Sequence, residues 1–183
     1  MKHERRPVVA VVGSARVDDE DRRAQLRDLG AALMAGGFRL VTGGLGGTME
    51  AVSLGARSSE DWREGMILGV VPSYRHDEAN QYCDVVIPSG LQVGRNLLVV
   101  STADVVVAVG GGAGTLSEIA LAWQLKRPII ALGDDGWAGR VAGQRLDQRS
   151  PDPVHRVGTV AEVIEACLRL WPLAARATDI RAH

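Results

Sequence analysis

The chain has 183 residues, 46% apolar and 23% charged, with a formal net charge of −1 and an isoelectric point near 6.4. That length suits one domain able to bury a full core, and the charge balance excludes a general basic field for nucleic acid or membrane phosphate. Cys83 and Cys167 are too few and too isolated for a disulfide framework, and His3, His76, His155 and His183 lack metal-ligand spacing, so no metal is expected.

The N-terminus, MKHERRPVVAVVG, has too short an apolar run for a signal peptide, and no later run approaches the ~20 apolar residues of a membrane span. A cytoplasmic protein without membrane partners is expected. Along the chain, PVVAVVG (Pro7–Gly13) reads as a buried strand, and Asp18–Met34 as a helix with apolar spacing at Leu26, Leu29 and Leu33. A strand at Gly37–Gly44 and a helix from Thr48 to Ser59 follow. Strands at Met66–Pro72 and Cys83–Gly90 lead to a helix over Gln92–Thr102. The most apolar strand, Asp104–Gly110, precedes a helix over Thr115–Lys126 and a strand at Pro128–Leu132. A loop rich in Asp and Gly and a last helix near Ala161–Trp171 complete the pattern.

Continuous Val/Ile runs separated by helices predict a mainly parallel sheet covered on both faces. The predicted fold is a single Rossmann-like three-layer α/β domain over 1–183, with a core at 7–171 and loose tails at 1–5 and 173–183.

Ligands of such sheets sit at the carboxyl ends of the strands. Three strands end in glycine plus a hydroxyl: Gly13-Ser14, then Gly43-Gly44-Leu45-Gly46-Gly47-Thr48, then Gly110 to Thr115. Such turns let backbone approach a ligand, and the helix that follows offers free N–H groups to an anion, most commonly phosphate. Tight turns of the fold alone would also use glycine. Two near-copies, GGLGGTME and GGAGTLSE, favour a phosphate or nucleotide pocket. No lysine lies near a glycine cluster to complete a P-loop, neither turn completes G-x-G-x-x-G, and no G-x-S-x-G elbow occurs.

Glu118 admits two readings. Thr115-x-x-Glu118 has the form of a capping box; alternatively the carboxylate faces the anion site. Arg95 is the only charge between Asp84 and Asp104, which suits a specific anionic partner in the protein or a ligand. Glu50 and the segment Pro72–Cys83, with Tyr74, Arg75, His76 and Tyr82, are further candidates for the pocket wall, though solvated positions explain them as well.

GGGAGTLSEIALAWQLKRPIIAL, GRNLLV and LVTGGLGGTMEAVSLGA occur in that family's order and together resemble the Lonely Guy (LOG) superfamily, historically labelled lysine-decarboxylase-like. The resemblance implies cleavage of the N-glycosidic bond of nucleoside 5′-monophosphates by a phosphoribohydrolase that forms a homodimer or homotetramer. Gly111, Gly112, Gly114, Thr115 and Glu118 match the signature P-G-G-x-G-T-x-x-E, and Arg95 its upstream arginine. On that reading the glycine turns hold the 5′-phosphate, Glu118 stabilises charge on the ribose or orients water, and Arg95 pairs with phosphate or Glu118.

Gly110 stands where the signature has proline, and Asn96 where it has lysine. Both departures resemble a neighbouring branch that includes molybdenum-cofactor carrier proteins, so a carrier or sensor of a phosphorylated ligand is the alternative. Pyridoxal phosphate chemistry is excluded, since Lys2 lies in the tail and Lys126 at the wrong edge of the sheet. No resident cofactor is expected.

Overall fold

The computed structural model describes residues 5–177, without the side chains of 173–177. The elements in chain order are β1 (Val8–Gly13), α1 (Glu20–Ala35), β2 (Arg39–Thr42), α2 (Thr48–Arg57), β3 (Ile67–Val71) and β4 (Val85–Pro88). Then come α3 (Arg95–Thr102), β5 (Val105–Val109), α4 (Ala113–Gln124), β6 (Ile129–Leu132), α5 (Gly136–Val141), β7 (His155–Val157) and α6 (Val160–Ala177). The seven strands form one sheet in the order β4-β3-β2-β1-β5-β6-β7, and every neighbouring pair is parallel. The predicted three-layer Rossmann-like fold is the one observed.

Side-chain alternation along the strands builds two cores. Val9, Val11, Val105, Val107 and Val109 face α1, α2 and α6, where Leu26, Leu29, Val52 and Val163 are buried. Val8, Ala10, Val12, Val106 and Ala108 face α3, α4 and α5, against Val99, Val100, Ile119 and Ala138. With both faces covered, the central strands have no polar face, hence their unbroken Val runs. The α1 and α2 axes come close through Gly30 and Gly55: a Cβ at Gly30 would overlap the Val52 carbonyl, and one at Gly55 the Arg27 carbonyl.

Three expectations need correction. The Asp- and Gly-rich loop contains α5 and β7. α5 forms because its first N–H groups have tertiary acceptors: Trp137 and Ala138 donate to the Gly111 and Gly110 carbonyls, both at 3.0 Å. The last helix runs through Pro172 to Ala177, giving up one N–H bond instead of stopping there. Arg5 is no loose tail, since its guanidinium pairs with buried Asp104 at 2.5 and 2.7 Å. The remaining tail positions, 1–4 and 178–183, lie outside the described residues. No helix among the described residues is long and apolar enough to cross a membrane.

Candidate functional site

β1 and β5 are neighbours, yet the chain winds away from them in opposite directions, so their carboxyl ends form the switch-point crevice of this sheet. Two cavities open there, one of about 780 Å³ and one of about 300 Å³, and Ser14 lines both.

The smaller cavity is built from three directions. β1 ends at Gly13 and leads into Ser14, β2 delivers Gly43, the first turn of α3 brings Arg95 and Asn96, and the N-cap and first two turns of α4 bring Gly112, Gly114, Thr115 and Glu118. The Arg95 guanidinium lies directly against Gly43, where any Cβ would overlap it; glycine there makes the arginine's seat. Arg95 Nη1 donates to Glu118 Oε1 at 3.3 Å, and the two side chains are only 11% and 8% exposed. Burial pushes the Glu118 carboxyl up to about 7, against the opposing pull of Arg95. Burial also lowers the Arg95 pKa, outweighing the attraction of Glu118 and Glu78. Arginine stays cationic at neutral pH.

The first N–H groups of α4 have no partner within their own helix, and open space faces the Cα atoms of Gly112 and Gly114. The cavity thus offers a fixed cation, exposed backbone donors and a carboxyl that exchanges its proton near neutrality. That set can hold an oxyanion.

The larger cavity was not anticipated. Asp18, Asp19, Asp21 and Arg22 line it from the start of α1, and Asp135 from the loop after β6. Arg22 Nη2 meets Asp135 Oδ1 at 2.7 Å. The sequence signal was the acidic run Asp18–Asp21 behind the first strand and Asp134-Asp135 behind another, both at strand carboxyl ends. Among the described residues, no three His, Cys, Asp or Glu side chains converge as they would around a metal ion.

Residues 6–166 match the SLOG cluster4 family. The chain belongs to that family. An uncharacterized protein of Archaeoglobus fulgidus is 34% identical over 132 residues, 68% of this chain and 83% of that protein. The molybdenum cofactor binding protein from the phototrophic bacterium Rippkaea orientalis superposes with a TM-score of 0.79 at 31% identity, over 91% of this chain and 98% of that one. The molybdenum cofactor carrier protein of Chlamydomonas reinhardtii gives 0.77 at 30% identity, over 91% and 99%.

In this SLOG protein the capping-box reading of Glu118 fails. α4 begins at Ala113 with Gly112 as its N-cap, and Leu116 N–H already bonds the Gly112 carbonyl, so Thr115 lies inside the helix. A capping box does exist at the start of α6, where Glu162 Oε2 accepts from the Gly158 and Thr159 N–H groups and Thr159 Oγ1 accepts from Glu162 N–H. The α2 terminus is less open to an anion than expected, because Thr48 N–H is spent on the Ser14 carbonyl at 2.9 Å.

The other candidates divide. Gly111 and the Thr48 side chain line the larger cavity, and Thr48 packs beneath Gly13. Gly44, Gly46 and Gly47 line neither cavity: Gly44 sits against Gly69 and Val71, Gly47 against the Ser14–Ala15 backbone, and Gly46 near the Ala15 carbonyl. Asn96 Nδ2 donates to Ser117 Oγ at 2.7 Å, and Ser117 donates to the Gly114 carbonyl at 2.7 Å, which ties α3 to α4. Pro72–Cys83 and Glu50 stand outside both cavities; Asn80 from that segment donates to the Gly44 and Leu45 carbonyls.

Proposed function

We propose that this protein is a carrier that binds a phosphorylated small molecule of the molybdenum-cofactor type in the switch-point crevice and releases it unchanged. The observation that carries this reading is the meeting of Arg95 with the open N-terminus of α4 in one cavity. It occurs in a chain that is 31% and 30% identical to two molybdenum-cofactor proteins, over 91% of its own length and 98% and 99% of theirs. A phosphate on such a ligand finds its cation in Arg95 and its backbone donors in α4. Glu118, with its pKa raised to about 7, is protonated often enough not to repel that anion.

Hydrolysis of a nucleoside monophosphate asks for something else. A ribose that develops positive charge is best stabilised by a carboxylate held ionised, and burial works against that at Glu118. Asn96, standing where the Lonely Guy signature has lysine, is engaged with Ser117.

The test mixes purified protein with molybdenum cofactor released from a molybdoenzyme, separates the complex by gel filtration and measures molybdenum in the protein peak. Molybdenum should co-elute with wild type and be lost in Arg95→Ala. In parallel, AMP should yield no free adenine. Adenine release that disappears in Glu118→Gln would instead establish the phosphoribohydrolase.

A further inference from the structure

The larger cavity has more than twice the volume of the phosphate site and is its neighbour across Ser14. Two features show it as more than a gap between loops. Its acids are only partly engaged: Asp19 Oδ1 accepts from Arg22 N–H, and Asp135 Oδ1 accepts from Arg22 Nη2, while Arg22 Nη1 is occupied by Gln25. Among the described residues Asp135 Oδ2 has no partner, and it lies above the Cα of Gly110, where a Cβ would stand 2.7 Å from it. Gly110, with φ of +57°, therefore admits this carboxylate to the crevice at the position where the Lonely Guy signature has proline. Thr48, 1% exposed, also lines this cavity, its side chain packed beneath Gly13.

The geometry points to a head-group subsite: the larger cavity receives a heterocycle whose edge presents a ring N–H beside an amino group, and Asp135 accepts from that edge. This is the 2-amino-4-oxopyrimidine edge that pterins and guanine share. Asp135 is then a specificity-determining residue, and the assignment rests on the carrier reading above.

Carboxylates are acceptors only, so a wall of them selects donors. Adenine sets a ring lone pair beside its amino group and would point it at Asp135, whereas the aminopyrimidinone edge offers N–H at both places. A simple ammonium ligand fits less well, because Arg16 and Arg22 belong to the same wall. Ser14, common to both cavities, marks where one ligand would cross from its phosphate in the smaller cavity to its ring in the larger.

Calorimetric titrations with GMP and AMP on wild type and Asp135→Asn test this. Asparagine keeps an oxygen for Arg22, and an unchanged unfolding transition will show that the variant is folded. Wild type should bind GMP about tenfold more tightly than AMP, and Asp135→Asn should bring the two within about twofold, through weaker GMP binding and AMP binding no weaker than in wild type, since asparagine relieves the clash with the adenine lone pair. Equal affinities in wild type, or an unchanged preference in the variant, overturn the subsite.

If neither nucleotide binds, molybdenum retention by wild type and Asp135→Asn decides. Retention equal in both overturns the subsite and leaves the carrier reading standing. Retention reduced in the variant supports both. Retention in neither removes the carrier reading, and the subsite with it.

Discussion

Asp84 and Asp104 each stand immediately before a strand, at the amino edge of the sheet, with side chains 1% and 2% exposed. Asp84 accepts from Arg57, Trp62 Nε1 and the Met66 and Ile67 N–H groups at 2.5 to 3.1 Å, and Asp104 from Arg5 and Val8 N–H at 2.5 to 2.8 Å. Glu118, at the carboxyl edge, is 8% exposed and has one partner among the described residues, Arg95, at 3.3 Å. Both edges bury carboxylates, but only the amino edge surrounds them with donors. A buried charge with many short hydrogen bonds serves the fold. One left with a single long contact beside a cavity is available to something else.

The largest expected effect comes from removing a fully paired acid. Asp84→Ala strands the Ile67 N–H and the Trp62 indole, takes one of two acceptors from the Met66 N–H, removes the partner of Arg57, and should lower unfolding free energy by about 3 kcal/mol. Denaturant titration measures it. A loss under about 1 kcal/mol would erase the distinction between the two edges.

Glu118 should behave in the opposite way, and its pH dependence is the sharper test. Its folded-state pKa of about 7 lies above the ordinary carboxyl value, so the native state binds the extra proton between roughly pH 4.5 and pH 7. The resulting stability is full below the unfolded pKa and is lost as pH rises through 7. From pH 5 to pH 8 wild type should therefore lose about 2–3 kcal/mol more than Glu118→Gln does. The unpaired Arg95 of the variant is present at both pH values and cancels from the difference. Parallel pH profiles of the two proteins would show that Glu118 is solvated or better paired than its surroundings indicate.

Much of this arrangement was legible because it depends on local pattern. Val-rich runs buried on both faces announce a parallel sheet, and Arg95 stands out as the only charge in a long apolar stretch. What escaped depends on distant partners. α5 looks like a loop until its N–H groups are seen on the Gly110 and Gly111 carbonyls, and β7 is three residues long. Asp135 reads as a turn residue, and only the fold brings it over Gly110. The glycines show the limit best: Gly43 and Gly47 look alike in sequence, yet one seats Arg95 in the cavity and the other packs loop against loop.

Arg5 gives the smallest effect and the narrowest test of how the amino edge works. Its side chain is 58% exposed, so the pair with Asp104 is solvent-screened on one side even though the carboxylate is 2% exposed. Arg5→Ala should cost less than about 1 kcal/mol, the range of exposed ion pairs, and the cost should shrink in high salt. The buried half of the arrangement survives that change, since Asp104 Oδ2 still accepts from Val8 N–H at 2.8 Å. A loss of several kcal/mol would mean that the carboxylate depends on the arginine for its charge. The amino edge would then resemble the carboxyl edge, where a single cation also faces a buried acid, and pairing alone could no longer separate a structural carboxylate from one kept for a ligand.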